Sequence, residues 1–435
     1  MTTSTKATPG LWRLFVYSAV GVAVFFLPVT FRGKSTIVLD HLVTLVRGVL
    51  GPAVGWVVAG LVFYGTVRTL RRTSWRNPTQ AIFALLSVMG LGVAAMILTG
   101  TLPAALSRPD LVPFLWEKIA IPVALIIPIG SAFLALLVSF GLMEFVGVLM
   151  QPIMRPLWRT PGRSAIDAVT SFVGSYSLGM LITDRVYRQG RYTAREAAII
   201  ATGFSTVSAA FMVVVAGTLG LMDYWGQYFA VSLLVTFAVT AITVWIPPLS
   251  AIPAEHYPGA TPDPEPRITT GRVAAAWAAS KEALRAAPSL GRAVGENFLD
   301  GVRMSAAVAP SILSVGVIGL VLATYTRVFD LLGYLFYPFA WLVRLPEPLL
   351  AGKASALGIA EMLLPATVVA DQESLVLRFV IGVVSVSAVI FFSGLVPCIM
   401  ATSVPLRIWH LVVIWFERVA LSILIATPLA YLLLP

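Results

Sequence analysis

The chain has little charge, one cysteine and three histidines. Asp, Glu, Lys and Arg make up only 11% of its 435 residues, whereas 58% are hydrophobic and the mean hydropathy is +0.90. A soluble domain needs far more charge to cover its surface, so this composition excludes a soluble enzyme or binding module. The lone cysteine excludes an intrachain disulfide, and the histidines lie too far apart in sequence for a metal site.

Motifs of catalysis and of nucleic-acid binding are also missing. There is no phosphate-binding loop, no H-E-x-x-H zinc pair and no nucleophile elbow, so neither an enzymatic activity nor a cofactor is expected. A net charge of +10 would suggest nucleic acid for a soluble chain, but Lys and Arg between membrane spans set orientation instead. We therefore expect the lipid bilayer, and no nucleic acid, as a partner.

Apolar runs of the length that a helix needs to cross a bilayer are abundant. They predict an all-α polytopic membrane protein with about nine transmembrane helices. Arginines cluster after the second run, at Arg68, Arg71, Arg72 and Arg76. This places that loop, and by counting back the N-terminus, in the cytoplasm. The predicted spans are 11–30, 52–70, 80–104, 120–142, 197–220, 224–246, 303–325, 375–400 and 408–432.

Three other segments have a different character. Residues 34–51 alternate polar and apolar residues at helical spacing, which predicts an amphipathic helix at the membrane interface. Residues 248–272 are rich in proline and charge and predict a loop. The stretch that follows, up to Arg303, has helix-forming composition and predicts a surface helix or helix pair on the cytoplasmic side.

The stretch SAIDAVTSFVGSYSLGMLITDRVYRQGR, residues 164–191, is apolar but is interrupted in its middle by serines, a tyrosine and glycines. As a simple span it would place the arginines before it and those after it on opposite sides of the membrane. A re-entrant hairpin over 165–183 places all of them on one side. Gly and Ser supply the turn, which is tolerated at membrane depth where it lines a cavity. We favour the hairpin.

The chain contains an internal repeat. FVGVLMQPIMRPLWRTP (145–161) resembles LLGYLFYPFAWLVRLP (331–346), with Gly and Pro at equal separation and an Arg-x-Pro end. Leu178-Gly179 matches Leu357-Gly358, and GFSTVSAAF (203–211) matches GVVSVSAVI (382–390), both at an offset of 179 residues. An odd number of spans separates the copies, which are therefore predicted to be inverted, with a second hairpin at 348–369. The predicted domains are a scaffold 1–118, a first repeat 119–247, a cytoplasmic linker 248–300 and a second repeat 301–435.

Discontinuous helices of inverted repeats form binding sites near the bilayer midplane. Serines at such breaks either bind a polar solute or cation or simply let helices approach closely. Lys353 and Glu361 are either a functional pair or a snorkelling lysine with its counter-ion. No catalytic residue and no metal ligand is predicted. The predicted substrate-binding residues are Ser171, Gly174, Ser175, Tyr176, Ser177, Ser205, Thr206, Ser208, Lys353, Ser355, Glu361, Ser385 and Ser387.

The segment SFVGSYSLGMLITDRVYRQGRYTAREAAIIATGFSTVSAAFMVVVAGTLG resembles the YjiH family of nucleoside-recognition Gate-domain membrane proteins. Residues 303–432 resemble the companion YjiG and spore-maturation B (SpmB) type. Gate domains also occur in concentrative nucleoside transporters and in ferrous-iron transporters of the FeoB type. The resemblance implies a core of paired hairpins and interrupted helices in a bacterial cytoplasmic (inner) membrane. The chain lacks the Gln- and Glu-rich tip expected of a nucleoside transporter, so the resemblance does not name the substrate.

Three functions follow from this pattern. The leading prediction is secondary active transport of a small polar solute, such as a nucleoside, amino acid or dipeptide, with Na⁺ or H⁺ as the coupling ion. The second is a non-transporting membrane assembly or structural factor of the spore-maturation type. The third is an anion or metal channel, which the absence of clustered acidic, His or Cys ligands disfavours. A homo-oligomer is compatible with each of them.

Overall fold

The computed structural model describes residues 10–26, 28–31, 34–73, 75, 78–109, 111–173, 176–207, 209–268 and 270–435. The described chain is helical apart from one two-stranded antiparallel hairpin. The prediction of an all-α, multi-pass membrane protein is therefore confirmed, with this small hairpin as an exception. Six helical segments are long and apolar enough to cross a membrane: Ala53–Arg72, Gln80–Thr99, Val112–Val138, Met222–Thr243, Leu290–Tyr325 and Ile408–Leu433.

The N-terminal scaffold precedes the first repeat. The amphipathic helix predicted over 34–51 is a β-strand for its first four residues and a helix from Val38 onwards. That helix buries Leu39 and Val43 on the side that packs against the later helix of residues 121–138. The elements are α1 (Trp12–Phe26), β1 (Pro28–Phe31), β2 (Lys34–Ile37), α2 (Val38–Leu50), α3 (Ala53–Arg72) and α4 (Pro78–Thr99).

Two successive series of helices follow, separated by α13 (Arg272–Ala286). The first comprises α5 (Val112–Phe114), a π-helical turn (Leu115–Ala120), α6 (Ile121–Val138), α7 (Leu142–Trp158), α8 (Ser164–Val173), α9 (Tyr176–Arg188), α10 (Ala194–Gly203), α11 (Ala209–Thr218) and α12 (Trp225–Thr243). The second comprises α14 (Leu290–Tyr325), α15 (Val328–Gly333), α16 (Tyr337–Leu342), α17 (Pro348–Leu357), α18 (Leu364–Val369), α19 (Leu375–Ser387), α20 (Leu395–Met400) and α21 (Ile408–Leu433).

Helix α14 joins the linker to the second repeat without a break. Its 36 residues give a length of about 54 Å, well beyond the hydrocarbon core of a bilayer. The second surface helix allowed for by the sequence is therefore the first part of a span, and the boundary placed at residue 300 falls inside it. α14 packs against α3, α4 and α6, and Ser305 Oγ donates to the Ala124 carbonyl at 2.9 Å.

The two series repeat one backbone arrangement. A Cβ atom on Gly162 would collide with the Gly147 carbonyl, and one on Gly352 would collide with the Gly333 carbonyl. Glycine is thus needed at the same close approach in both copies. The two Arg-x-Pro arginines both lie in the left-handed region, with φ of 56° at Arg159 and 55° at Arg344. The repeat predicted from sequence is present in the backbone, and the inversion of the copies across the bilayer stays a prediction.

Each copy contains a helical hairpin, the first formed by α8 and α9 and the second by α17 and α18. In the first hairpin Thr183 Oγ1 donates to Asp167 Oδ1 at 2.8 Å, and Gly179 lies against Ser171. Residues that lie earlier in the first arm therefore contact residues that lie later in the second arm, so the two arms run antiparallel. Arms of 10 and 13 residues are about 15 and 20 Å long, too short to cross about 30 Å of hydrocarbon.

Each copy also contains a broken helix where the sequence predicted one span. The span predicted at 197–220 is α10 followed by α11, and the span predicted at 375–400 is α19 followed by α20. We call residues 204–207 the first break and residues 388–394 the second break. Each break begins with an N–H that still bonds the preceding helix, at Phe204 and Ala388, and the helical ladder ends there, which leaves backbone groups to bond other elements.

The linker lies against the base of the first hairpin. The buried Glu265 carboxylate accepts hydrogen bonds from Gly162 N at 2.8 Å and Arg163 N at 3.1 Å, just before α8 begins. Arg155 Nη2 approaches the same carboxylate at 3.3 Å. Gln151 reinforces the contact, since its Nε2 donates to the Pro266 carbonyl at 2.8 Å. Because these bonds are buried and partly ionic, they fix the linker to the hairpin.

A second attachment of the linker lies between the first hairpin and α10. Arg191 Nη1 lies 3.0 Å from Glu144, and its Nε lies 3.0 Å from Asp263 in the linker. Burial lowers the pKa of Arg191, but the two carboxylates outweigh it, so that the pKa lies above its ordinary value. The guanidinium therefore stays charged and holds the linker to the chain that follows the hairpin.

Candidate functional site

The second hairpin is bonded to the second break through main-chain groups. Phe392 N donates to the Ile359 carbonyl at 2.6 Å, and Ser393 N donates to the Ala360 carbonyl at 3.0 Å. Ser385, at the end of α19, donates its hydroxyl to the Met362 carbonyl. The predicted site residue Ser385 is therefore next to the turn of this hairpin, as the sequence predicted for the paired elements.

The first hairpin reaches the same break from the other copy. The Tyr176 ring packs edge-on against the Phe391 ring, with centroids 5.2 Å apart. Gly394 lies so close to the Tyr176 hydroxyl that a Cβ atom there would collide with it. The tip of the first hairpin, the turn of the second hairpin and the second break thus meet around residues 391–394.

Buried hydroxyls without partners occur in all four discontinuous elements. Thr170 and Ser171 belong to the first hairpin, Thr206 to the first break, Ser355 to the second hairpin and Ser393 to the second break. Each side-chain oxygen is buried and has no hydrogen-bond partner within the described part of the chain. Ser18 of α1 and Ser232 of α12 are unsatisfied in the same way. A buried unsatisfied hydroxyl costs about 1–3 kcal/mol. Ser393 was not predicted as a site residue.

The predicted pair of Lys353 and Glu361 does not form. Lys353 Nζ lies 2.6 Å from Asp330 Oδ1, in an ion pair that is partly exposed. The buried Glu361 Oε2 instead accepts from Leu363 N at 2.6 Å, ahead of α18. The reason is that α17 packs against α15, so that Lys353 and Asp330 face each other. The predicted pairing of Lys353 with Glu361 is therefore wrong, and the role of each residue in binding stays a prediction.

The other predicted residues are divided among different surroundings. Ser205 bonds within its own chain segment, to the Ile200 carbonyl at 3.4 Å. Ser387 Oγ donates to Ser422 Oγ at 2.7 Å, and Ser177 is buried in α9. Three further predicted residues, Gly174, Ser175 and Ser208, lie outside the described residues.

A buried arginine was missed by the sequence reasoning. Arg418, in the middle of α21, is fully buried, and its Nε and Nη2 donate to the Ser387 carbonyl at 3.0 and 2.7 Å. Its Nη1 donates to Thr240 Oγ1 at 2.9 Å. No carboxylate of the described chain lies within ion-pair distance of it. The signal was present in the sequence, since a charge inside an apolar span is costly and marks a functional candidate.

A cavity of about 540 Å³ opens beside the site and is lined from α3, α4, α9, α14 and α20. Its arginines lie on helices, in parts of the chain that were predicted to be on the cytoplasmic side. None of the predicted substrate-binding residues lines it. The Asp184 carboxylate at its wall accepts from Ser403 N at 2.7 Å and so joins α9 of the first copy to the loop after α20. The charged lining residues are Arg68, Arg72, Asp184, Arg188, Asp300 and Arg303.

Comparison with known proteins places the chain in a family. The Gate family, described as nucleoside recognition, matches residues 120–222. An uncharacterised protein of Alkalihalophilus pseudofirmus is 31% identical over 98% of this chain and 96% of its own length. The chain belongs to the same family as that protein. The Gate resemblance predicted around the first hairpin is therefore confirmed, and it includes the hairpin, the first break and α6 to α11.

Other likenesses are weaker or shorter. The structure of CNTnw in an inward-facing substrate-bound state aligns with 96% of this Gate chain and 89% of its own, at 17% identity and a TM-score of 0.39. A structure of CNTnw in an outward-facing state aligns with 99% and 94%, at 16% identity and a TM-score of 0.39. The sporulation integral membrane protein YlbJ of Bacillus subtilis is 33% identical over 15% of this chain and 16% of YlbJ.

Proposed function

We propose that this Gate protein is a secondary transporter of a small polar solute, such as a nucleoside, an amino acid or a dipeptide. The observation that carries the proposal is that buried, partnerless hydroxyls occur in both hairpins and in both breaks, at Thr170 and Ser171, Thr206, Ser355 and Ser393. A protein that only needed close packing of small residues would not place an unsatisfied hydroxyl in every discontinuous element. A solute with several hydrogen-bonding groups satisfies them.

Two of the contacts between the copies lie where passage of a solute has to open them. They are the edge-on packing of Tyr176 against Phe391 and the bond from Ser403 N to Asp184. The cavity beside them supplies access from the arginine-rich side. Within the described chain its Arg68 and Arg72 have no acidic partner, so the entrance attracts neutral or anionic solutes more than cations.

The test is solute-dependent thermal stabilisation of the purified full-length protein, followed by uptake into proteoliposomes. We expect one class among nucleosides, nucleobases, amino acids and dipeptides to raise the melting temperature, and Ser393→Ala and Ser355→Ala to weaken that effect about tenfold in concentration. Thr427→Val is the matched control, because its buried hydroxyl already donates to the Ile423 carbonyl at 2.8 Å. If all three variants lose the stabilisation by solute equally, Ser393 and Ser355 are not part of the binding site.

A result without any solute effect favours the second function. If no solute of the panel stabilises the protein and none accumulates in proteoliposomes, the hairpins and breaks serve as a platform for assembly with other membrane proteins. The partnerless hydroxyls would then be contacts for another chain, and co-purifying proteins would be sought by cross-linking in the native membrane.

A further inference from the structure

The guanidinium of Arg418 lies where the two broken helices come together. It bonds the carbonyl of Ser387, the last residue of α19, directly. It also bonds Thr240 Oγ1, whose single hydroxyl hydrogen is shared between the Thr236 carbonyl at 2.7 Å and the carbonyl of Gly203, the last residue of α10, at 3.1 Å. The C-terminal ends of both half-helices are therefore linked to one positive group.

The charges at this point balance. A helix C-terminus carries the equivalent of about −0.5 elementary charge, so two of them present about −1. The guanidinium supplies one positive charge and remains ionised at any physiological pH. This explains how an arginine can be fully buried without a carboxylate. It sits about 15 Å along α21 from the first residue of that helix, too deep to reach the interface easily.

Oxygens of this kind are the usual ligands of a coupling ion. In transporters built from inverted repeats, unwound carbonyls and half-helix C-termini coordinate Na⁺. Here the Ser387 carbonyl already accepts two guanidinium bonds, and Thr240 Oγ1 accepts a third. The oxygens that a bound Na⁺ would need are thus already occupied by the guanidinium of Arg418, a cation that is part of the chain itself.

A second arginine bonds a carbonyl at the end of a neighbouring half-helix. Arg378 of α19 donates from its Nη1 to the Leu219 carbonyl at 2.7 Å, directly after the end of α11. The sequence reasoning assigned Arg378 to snorkelling, but its guanidinium is bonded inside the protein. Arginines therefore bond carbonyls at or just after the C-termini of two of the four half-helices directly, α19 and α11, and reach a third, α10, through the Thr240 hydroxyl.

We propose that Arg418 is a resident cation that takes the place of a sodium ion where the two broken helices meet, so that the protein works without Na⁺ coupling. The consequence for transport rests on the proposed function, but the occupied cation position does not. Of the two coupling ions allowed by the sequence, this leaves H⁺.

The experiment measures ²²Na⁺ binding to the purified full-length protein without solute, with choline chloride keeping the ionic strength constant. We expect no saturable binding for the wild type and for Arg418→Lys, which keeps the charge. Arg418→Ala and the milder Arg418→Gln are expected to gain about one saturable site per chain. Saturable Na⁺ binding by the wild type would overturn the proposal, as would folded neutral variants that bind none.

Poor folding of the neutral variants is informative as well. If Na⁺ replaces the lost charge, purification in NaCl recovers more folded Arg418→Ala than purification in choline chloride, by severalfold. Equal loss in both salts would contradict the proposal. Because no solute is present, these results are separate from the test of transport, which the solute panel decides.

Discussion

The attachment of the linker to the first hairpin gives the sharpest prediction, through Glu265→Ala. The substitution removes the carboxylate that accepts hydrogen bonds from Gly162 N and Arg163 N. It also removes the ion-pair partner of Arg155 Nη2. A hydrogen bond to a charged group is worth about 1.5–3 kcal/mol, and removing one partner of a buried ion pair costs about 3–5 kcal/mol. We expect the linker to detach more easily by about 3 kcal/mol.

The assay is the rate of limited trypsin cleavage after Arg267, an exposed residue two positions beyond Glu265. At about 1.4 kcal/mol per factor of ten, the rate should rise roughly 100-fold, provided that cleavage follows the detached state. Glu255→Ala is the control, since this side chain is exposed in the same linker and its loss should change the rate about twofold at most. Equal rates in the two variants would refute the role of the Glu265 carboxylate.

Three more substitutions test the architecture. Gly352→Ala should lower the free energy of unfolding by about 1–3 kcal/mol in a denaturant titration, because its Cβ meets the carbonyl of α15, whereas Gly217→Ala meets open space and should be neutral or stabilising. Tyr192→Phe removes a 2.7 Å bond to the buried carboxylate of the first hairpin and should cost about 1–2 kcal/mol in the same titration. Asp184→Asn should speed hydrogen exchange at Ser403 N, and unchanged exchange would show that this bond is not limiting.

The repeat and the hairpins were predictable from sequence because short backbone contacts leave a trace in residue type. The glycines matched in the repeat, Gly147 and Gly333, both lie against the backbone of the following hairpin, at Arg163 and Lys353, where a Cβ atom would crowd it. The distribution of arginines identified the first hairpin, because a simple span would have placed them on both sides of the membrane. These signals depend on local sterics and on net charge, both of which a sequence displays.

The partners of individual polar side chains were not predictable in the same way. Lys353 pairs with Asp330 because α15 and α17 pack together, and no residue pattern states that packing. To predict the partners of Arg418, one would have to know that α10 and α19 end beside the same point of α21. The short β-hairpin escaped because its strands are four residues each and have no clear alternation.

The two copies have similar backbones, but their hairpins are held to the rest of the protein by different contacts. This difference affects how each hairpin can move. The first hairpin is held at its base by Glu265 of the linker, and it is followed directly by Arg191, which pairs with Asp263 of the linker and with Glu144 of α7. The second hairpin is held at its base by the close contact of Gly352 and by the half-exposed pair of Lys353 with Asp330. Exposed ion pairs contribute about 0–1 kcal/mol, far less than buried ones. At its base the first hairpin is therefore held more strongly than the second, whose main-chain bonds lie instead at its turn, where Phe392 N and Ser393 N donate to Ile359 and Ala360.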